Sequence, residues 1–103
     1  MALYRRNPRR DLSEPAIIRA LTALGVFVQP LSGKGVPDLL CAANGRMVLM
    51  ECKAPAGPCG GVSGRGLTDD QQRFWQQWPG PPLWICRTVD DAVAVVRQEL
   101  GVG

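Results

Sequence analysis

Histidine is absent from the 103 residues. That absence removes Ser-His-Asp and Cys-His nucleophile systems, histidine general bases and histidine metal sites together, so catalysis here has to rest on carboxylates, lysine or a cation held by oxygen. Long apolar runs are missing too. No stretch approaches the roughly 18 consecutive apolar residues of a membrane span, and the opening MALYRRNPRRDLSE is basic without the apolar segment of a signal peptide. A cytoplasmic protein with no membrane attachment is the expectation. The cysteines Cys41, Cys52, Cys59 and Cys86 form no C-x-x-C pair. Cys41, Cys52 and Cys86 lie in apolar segments where thiols serve as small core residues, so neither a disulfide framework nor a structural zinc is expected. No Gly-Lys-Ser/Thr follows the glycine-rich stretch, which excludes a P-loop. No internal repeat, domain linker or helix-turn-helix is visible, and sequence-specific recognition is correspondingly not expected.

What is present fits one small domain. Apolar residues make up 46% of the chain, enough for a folded globule but, at this length, for a single modest core. The net charge of +3 is unevenly placed: Arg5, Arg6, Arg9 and Arg10 crowd the first ten residues. They read either as a solvated tail or as a phosphate-binding arm over residues 1–12, ahead of a domain over residues 13–103.

Ile17, Ile18, Leu21 and Leu24 recur at helical spacing, which predicts an amphipathic helix from Ser13 to Leu24 with Ser13 as N-cap, Pro15 in the first turn and Gly25 at the stop. Val26 to Leu31 reads as a strand. Asp38 to Ala42 and Met47 to Lys53 read as two more, joined by Asn44-Gly45, the strongest short-range hairpin signal. Residues 54–66 are rich in glycine and proline and read as a mobile loop. Thr68-Asp69-Asp70-Gln71 has capping-box form and opens a helix with Phe74, Trp75 and Trp78 on its apolar face. These aromatics could pack in the core or meet a partner. Pro79-Gly80-Pro81-Pro82 ends that helix, Leu83 to Arg87 forms a strand, and Thr88 with Asp91 caps a last helix that turns Val93, Val96 and Leu100 inward. The fold expected is α/β, a mixed β-sheet flanked by helices in the order αβββαβα.

The hairpin permits a calculation. With Asn44 and Gly45 in the turn, Ala43 pairs with Arg46, Leu40 with Leu49, Leu39 with Met50, and Asp38 with Glu51. Two carboxylates facing one another at roughly 4.5–5.5 Å between Cβ atoms repel, and something positive has to compensate. Lys53, two residues past Glu51, shares its face by strand alternation, and Mg²⁺ or Mn²⁺ suits the oxygen ligands. The plainer alternative makes Asp38 a turn residue and Glu51 and Lys53 decorations of a solvated face. Leu40, Leu49 and Met47 speak against it, because they give that face an apolar stripe that the charges end. Glu14, three residues before Ile17 and seven before Leu21, falls on or beside the buried face of the first helix. It is either a carboxylate in need of a partner or a helix-start acid favoured by the dipole.

Residues 36–53, VPDLLCAANGRMVLMECK, resemble the signature of the PD-(D/E)XK nucleases: Pro37-Asp38, a hairpin, then Glu51-Cys52-Lys53. The chain is similar over a wider span, roughly residues 13–96, to the small stand-alone VRR-NUC branch found in phages and bacteria. The matching positions there are Glu14, Gly35-Val36-Pro37-Asp38, Glu51-Cys52-Lys53 and Leu67-Thr68-Asp69-Asp70-Gln71. The resemblance implies a restriction-endonuclease-like core. It implies a Mg²⁺- or Mn²⁺-dependent nuclease in which Asp38, Glu51 and the Cys52 backbone carbonyl hold the metal. Lys53 would orient or deprotonate the attacking water or steady charge on the phosphate, with Glu14 and Gln71 accessory. For Gln71 the capping box competes with that role. Arg5, Arg6, Arg9, Arg10, Lys34 and Arg65 are candidates for phosphate contacts. The resemblance further suggests branched or junction DNA as substrate and a homodimer as the working unit. The alternative function is a non-catalytic nucleic-acid-binding module, or a partner subunit, that keeps the nuclease fold.

Overall fold

The computed structural model describes residues 8–53 and 67–103, with side chains from Ser13 onward. Its elements are α1 (Pro8–Ala23), β1 (Phe27–Pro30), β2 (Leu39–Ala43), β3 (Arg46–Cys52), α2 (Asp69–Gln77), β4 (Leu83–Cys86) and α3 (Val89–Leu100). This is the expected order of an α/β domain. The four strands form one mixed sheet in the order β1-β2-β3-β4, antiparallel except for the parallel pair β3–β4.

The hairpin register agrees with the count from its turn: Ala43 faces Arg46, Leu40 faces Leu49 and Leu39 faces Met50. Asn44 and Gly45 take φ of 55° and 77°, the left-handed pair that lets a two-residue turn match the strand twist. The tip is also tied to the far end of the chain, since the Asn44 side-chain amide donates to the Leu100 carbonyl at 2.7 Å. Gly101, in the left-handed conformation, closes α3 there by donating to the Arg97 carbonyl.

Val48 to Cys52 are all buried, because β3 is a central strand covered on both faces. One face carries Leu39, Cys41, Val48, Met50, Cys52 and Cys86. These pack with Ile17 and Leu21 of α1 and Ala92, Val95, Val96 and Leu100 of α3 into the core. Of the residues expected inward on α3, Val96 and Leu100 are buried, while Val93 is half-buried against the core. None of the α2 residues is fully buried. Phe74, Trp75 and Trp78 are half-buried, Phe74 stacks on Trp78 at 5.3 Å between centroids, and the Trp78 indole donates to the Pro81 carbonyl.

Helix α1 departs from expectation. It begins at Pro8, five positions before Ser13, so Ser13 is not its N-cap and Pro15 lies inside the helix. Proline at the first helical position costs nothing, since the N–H it lacks would be unbonded there anyway; Pro15 removes one internal bond. The Ser13 hydroxyl is buried with no hydrogen-bond partner among the described residues. Arg9 and Arg10 therefore lie on the first turn of α1. Their side chains, like Arg5, Arg6, Arg65, Cys59 and the loop 54–66, lie outside the described residues. No helix of the described residues is long and apolar enough to cross a membrane.

Cys41, Cys52 and Cys86 are buried free thiols, as core cysteines should be. Burial pushes the Cys41 thiol up from 9.0 to about 12, and burial, with Asp91 and Cys41 nearby, does the same for Cys86. The unfolded chain releases these protons near pH 9 and the folded chain does not. Their contribution to stability is therefore complete below pH 9 and declines as pH rises toward about 12, by up to about 1.4 kcal/mol per pH unit for each thiol. The urea midpoint should be lower at pH 10.5 than at pH 8, and a Cys41→Ala, Cys86→Ala variant should show a flatter dependence. Equal slopes in the two proteins would exclude the thiols as the cause.

Candidate active site

Asp38 and Glu51 are both buried, 4% and 3% exposed, at the open end of the β2–β3 hairpin. They do not face each other as rungs of the ladder. Pairing stops at Leu39–Met50, and Asp38 sits in a bend just ahead of β2. From there its Oδ2 accepts a hydrogen bond from the Cys52 backbone N–H at 2.8 Å. A side chain thus takes the place of a strand carbonyl and satisfies a buried amide that the diverging strands would otherwise strand.

This shift brings Asp38 to a neighbour that alternation had not assigned to it. Donor atoms of Glu14, Asp38 and Cys52 lie within 4.8 Å of one another. Glu14, half-buried on α1, is thus delivered to the site by the helix, as its position beside the buried face suggested. It stands well inside α1 and not at its start, so the helix-dipole account of this acid does not apply. The participation of the Cys52 side chain was missed, because on a regular strand it points away from Glu51. The bend at Asp38 is a tertiary feature with no signal beyond the preceding Pro37.

Glu51 is held from the other side. Its Oε2 accepts from Gln71 Nε2 at 2.9 Å, and Lys53 Nζ lies 3.8 Å from the same oxygen. Gln71 Oε1 accepts from Lys53 Nζ and from the Thr68 backbone N–H, each at 2.9 Å. The capping box at the start of α2 is complete, with the Thr68 hydroxyl accepting from the Gln71 N–H. Capping and site contact, which looked mutually exclusive for Gln71, are therefore made by one amide.

The loop before Asp38 is fastened to the same helix. Gly35 has φ of 79°, and a Cβ there would come within 2.6 Å of the Asp70 carbonyl oxygen. Lys34, expected to contact phosphate, is 86% exposed and lies 3.7 Å from Asp70 Oδ2, a surface pair of little energetic weight. Asp70 also accepts from Arg73 at 3.0 Å.

Comparisons of the chain with protein-family models, with curated proteins and with solved structures find no match. The chemistry of the site is therefore judged on its own donors. Burial raises the Cys52 thiol, and Asp38, Glu14 and Glu51 push it further in the same direction, as does Cys86. Three carboxylates close enough to act on one thiol make a concentrated negative site, with Lys53 the cation bonded into it among the described residues. A thiol held protonated is a poor ligand. The oxygen donors of Glu14, Asp38 and Glu51 suit a hard divalent cation such as Mg²⁺ or Mn²⁺.

Proposed function

We propose that the protein is a metal-dependent nuclease with a PD-(D/E)XK-type core, hydrolysing phosphodiester bonds of DNA in the cytoplasm. The observation that carries this is that Asp38 and Glu51 are both buried at the open end of the hairpin, where they act with Glu14 on the same Cys52 thiol, and that Lys53 stands beside Glu51. Burying two carboxylates is costly in a protein that gains nothing from them. The likeness of Pro37-Asp38 and Glu51-Cys52-Lys53 to the nuclease signature supports the same reaction.

In this scheme Asp38 and Glu51, with Glu14 next to Asp38, hold Mg²⁺ or Mn²⁺, and the Cys52 carbonyl is a further donor. Such an ion, when bound, supplies Lewis-acid polarisation of the scissile phosphate. The Lys53 side chain is 21% exposed, so its ammonium can meet a phosphate oxygen or the attacking water while it remains bonded to Gln71. Gln71 keeps Lys53 and Glu51 in place. Branched or junction DNA as substrate, a homodimer as working unit, and phosphate contacts from Arg5, Arg6, Arg9, Arg10, Lys34 and Arg65 belong to the same proposal.

The test is cleavage of labelled duplex, single-stranded and four-way-junction DNA. Cutting is expected with Mg²⁺ or Mn²⁺, with loss on EDTA treatment and in Lys53→Ala. DNA that is bound but never cut with either metal would make the chain a binding module that keeps a nuclease fold.

A further inference from the structure

An amide side chain has two unlike ends, an oxygen that only accepts and an NH₂ that only donates. Gln71 turns its oxygen to two donors, the Lys53 ammonium and the Thr68 backbone N–H, and its nitrogen to the Glu51 carboxylate. A flipped amide would set N–H against N–H at Thr68, where no acceptor exists. The Thr68 amide therefore fixes the sense in which Gln71 meets the two charges. Thr68 itself is held at φ −74° and ψ 171° by its cap, the hydroxyl accepting from Gln71 N.

The result is a spacing. Lys53 Nζ stands 3.8 Å from Glu51 Oε2, longer than a direct hydrogen bond, while the amide touches each at 2.9 Å. Without the amide the flexible lysine would close on the carboxylate as a contact pair and occupy an oxygen that the reaction needs. We propose that Thr68, exposed and separated from Glu51 by the Gln71 amide, is a positioning residue of the reaction: its cap locks Gln71 as a spacer that keeps Lys53 and Glu51 bridged but apart. This rests on the nuclease function proposed above.

Thr88 provides a matched control. It caps α3 through the same hydroxyl-to-N3 bond, 3.0 Å to Asp91 N, but bonds to none of the proposed site residues. Thr68→Ala and Thr88→Ala should lower the unfolding midpoint to a similar degree. Only Thr68→Ala should lower kcat, by roughly tenfold, with KM for DNA within about twofold, the signature of misplaced rather than missing groups. Thr68→Ser should restore kcat. Thr68→Gly, which glycine's tolerance at N-caps keeps folded, should show the same loss as alanine.

The side-chain amide resonances of Gln71 give a second measure that does not depend on turnover. In the wild-type protein its NH₂ protons should be resolved from the other glutamines and slow to exchange, in Thr68→Ala they should join the solvent-exposed envelope, and in Thr88→Ala they should be unchanged. The proposal is overturned if Thr68→Ala leaves kcat within twofold of wild type, if Thr88→Ala lowers it equally, or if the Gln71 amide is unmoved in Thr68→Ala. A wild-type protein that cuts no DNA with either metal ends the nuclease reading, and with it any role of Thr68 in catalysis; the amide resonances then report only on whether the cap holds Gln71.

Discussion

Glu51→Gln is expected to reduce metal-dependent cleavage by at least about 100-fold without destabilising the metal-free protein. Glutamine keeps the shape of the side chain, and its carbonyl can still accept from Gln71, which now bonds Glu51 Oε2 at 2.9 Å. Only the charge is removed. In the absence of a cation that charge is buried near others of its own sign, since Asp38, Glu14 and Glu51 all act on the Cys52 thiol. The unfolding temperature of the metal-free variant should accordingly equal or exceed that of the wild type. Adding Mn²⁺ should raise the wild-type midpoint by mass action and leave the variant nearly unmoved. A variant that unfolds several degrees early without metal would make Glu51 a structural residue, and one that still cuts DNA at a wild-type rate would remove it from the reaction.

Gly35→Ala should be among the most damaging single changes outside the hydrophobic core. Two costs coincide. A φ of 79° is unfavourable for alanine, and the new methyl carbon would lie 2.6 Å from the Asp70 carbonyl oxygen and 2.9 Å from its carbon. Backbone cannot yield as a side-chain tip does, so the loop of residues 32–38 and the first turn of α2 must separate. About 2–3 kcal/mol of stability should be lost, together with most of the activity, since the loop leads into Asp38 and the helix carries Gln71. Thermal unfolding and cleavage should fall together. A Gly35→Ala protein with native stability would show that the two segments are not clamped.

Much of this arrangement could be read ahead of the structure where it depends on local rules. Asn44-Gly45 sets the hairpin register, Thr68 and Gln71 form the expected capping box, and the order of elements follows from apolar spacing and breakers. The start of α1 could not be read in the same way. Ser13 and Pro15 imitate a helix start, but Pro8 suits the first helical position equally well. The ladder rule failed at its last rung, since Asp38 leaves the strand and bonds the Cys52 amide with its side chain. That departure is also what groups Glu14, Asp38 and Cys52. Regular geometry therefore led to the neighbourhood of the site, and the irregular residue within it determined which atoms meet. The dual role of Gln71 was open because spacing alone does not show that one amide can bond the cap and the charged pair together.

The bond from the Asn44 side chain to the Leu100 carbonyl spans 56 positions, and it has a consequence for the order in which the protein is made. The β2–β3 hairpin is local and can form as soon as it leaves the ribosome, but its tip is anchored only when the end of α3 has been synthesised. Lys53 N–H likewise waits for the Cys86 carbonyl of β4, and Gln71 arrives in between. A nascent chain thus carries Glu51 for some time before Gln71, which bonds its carboxylate, has been made. If the protein cuts nucleic acid, that activity would appear only after α3 has been synthesised.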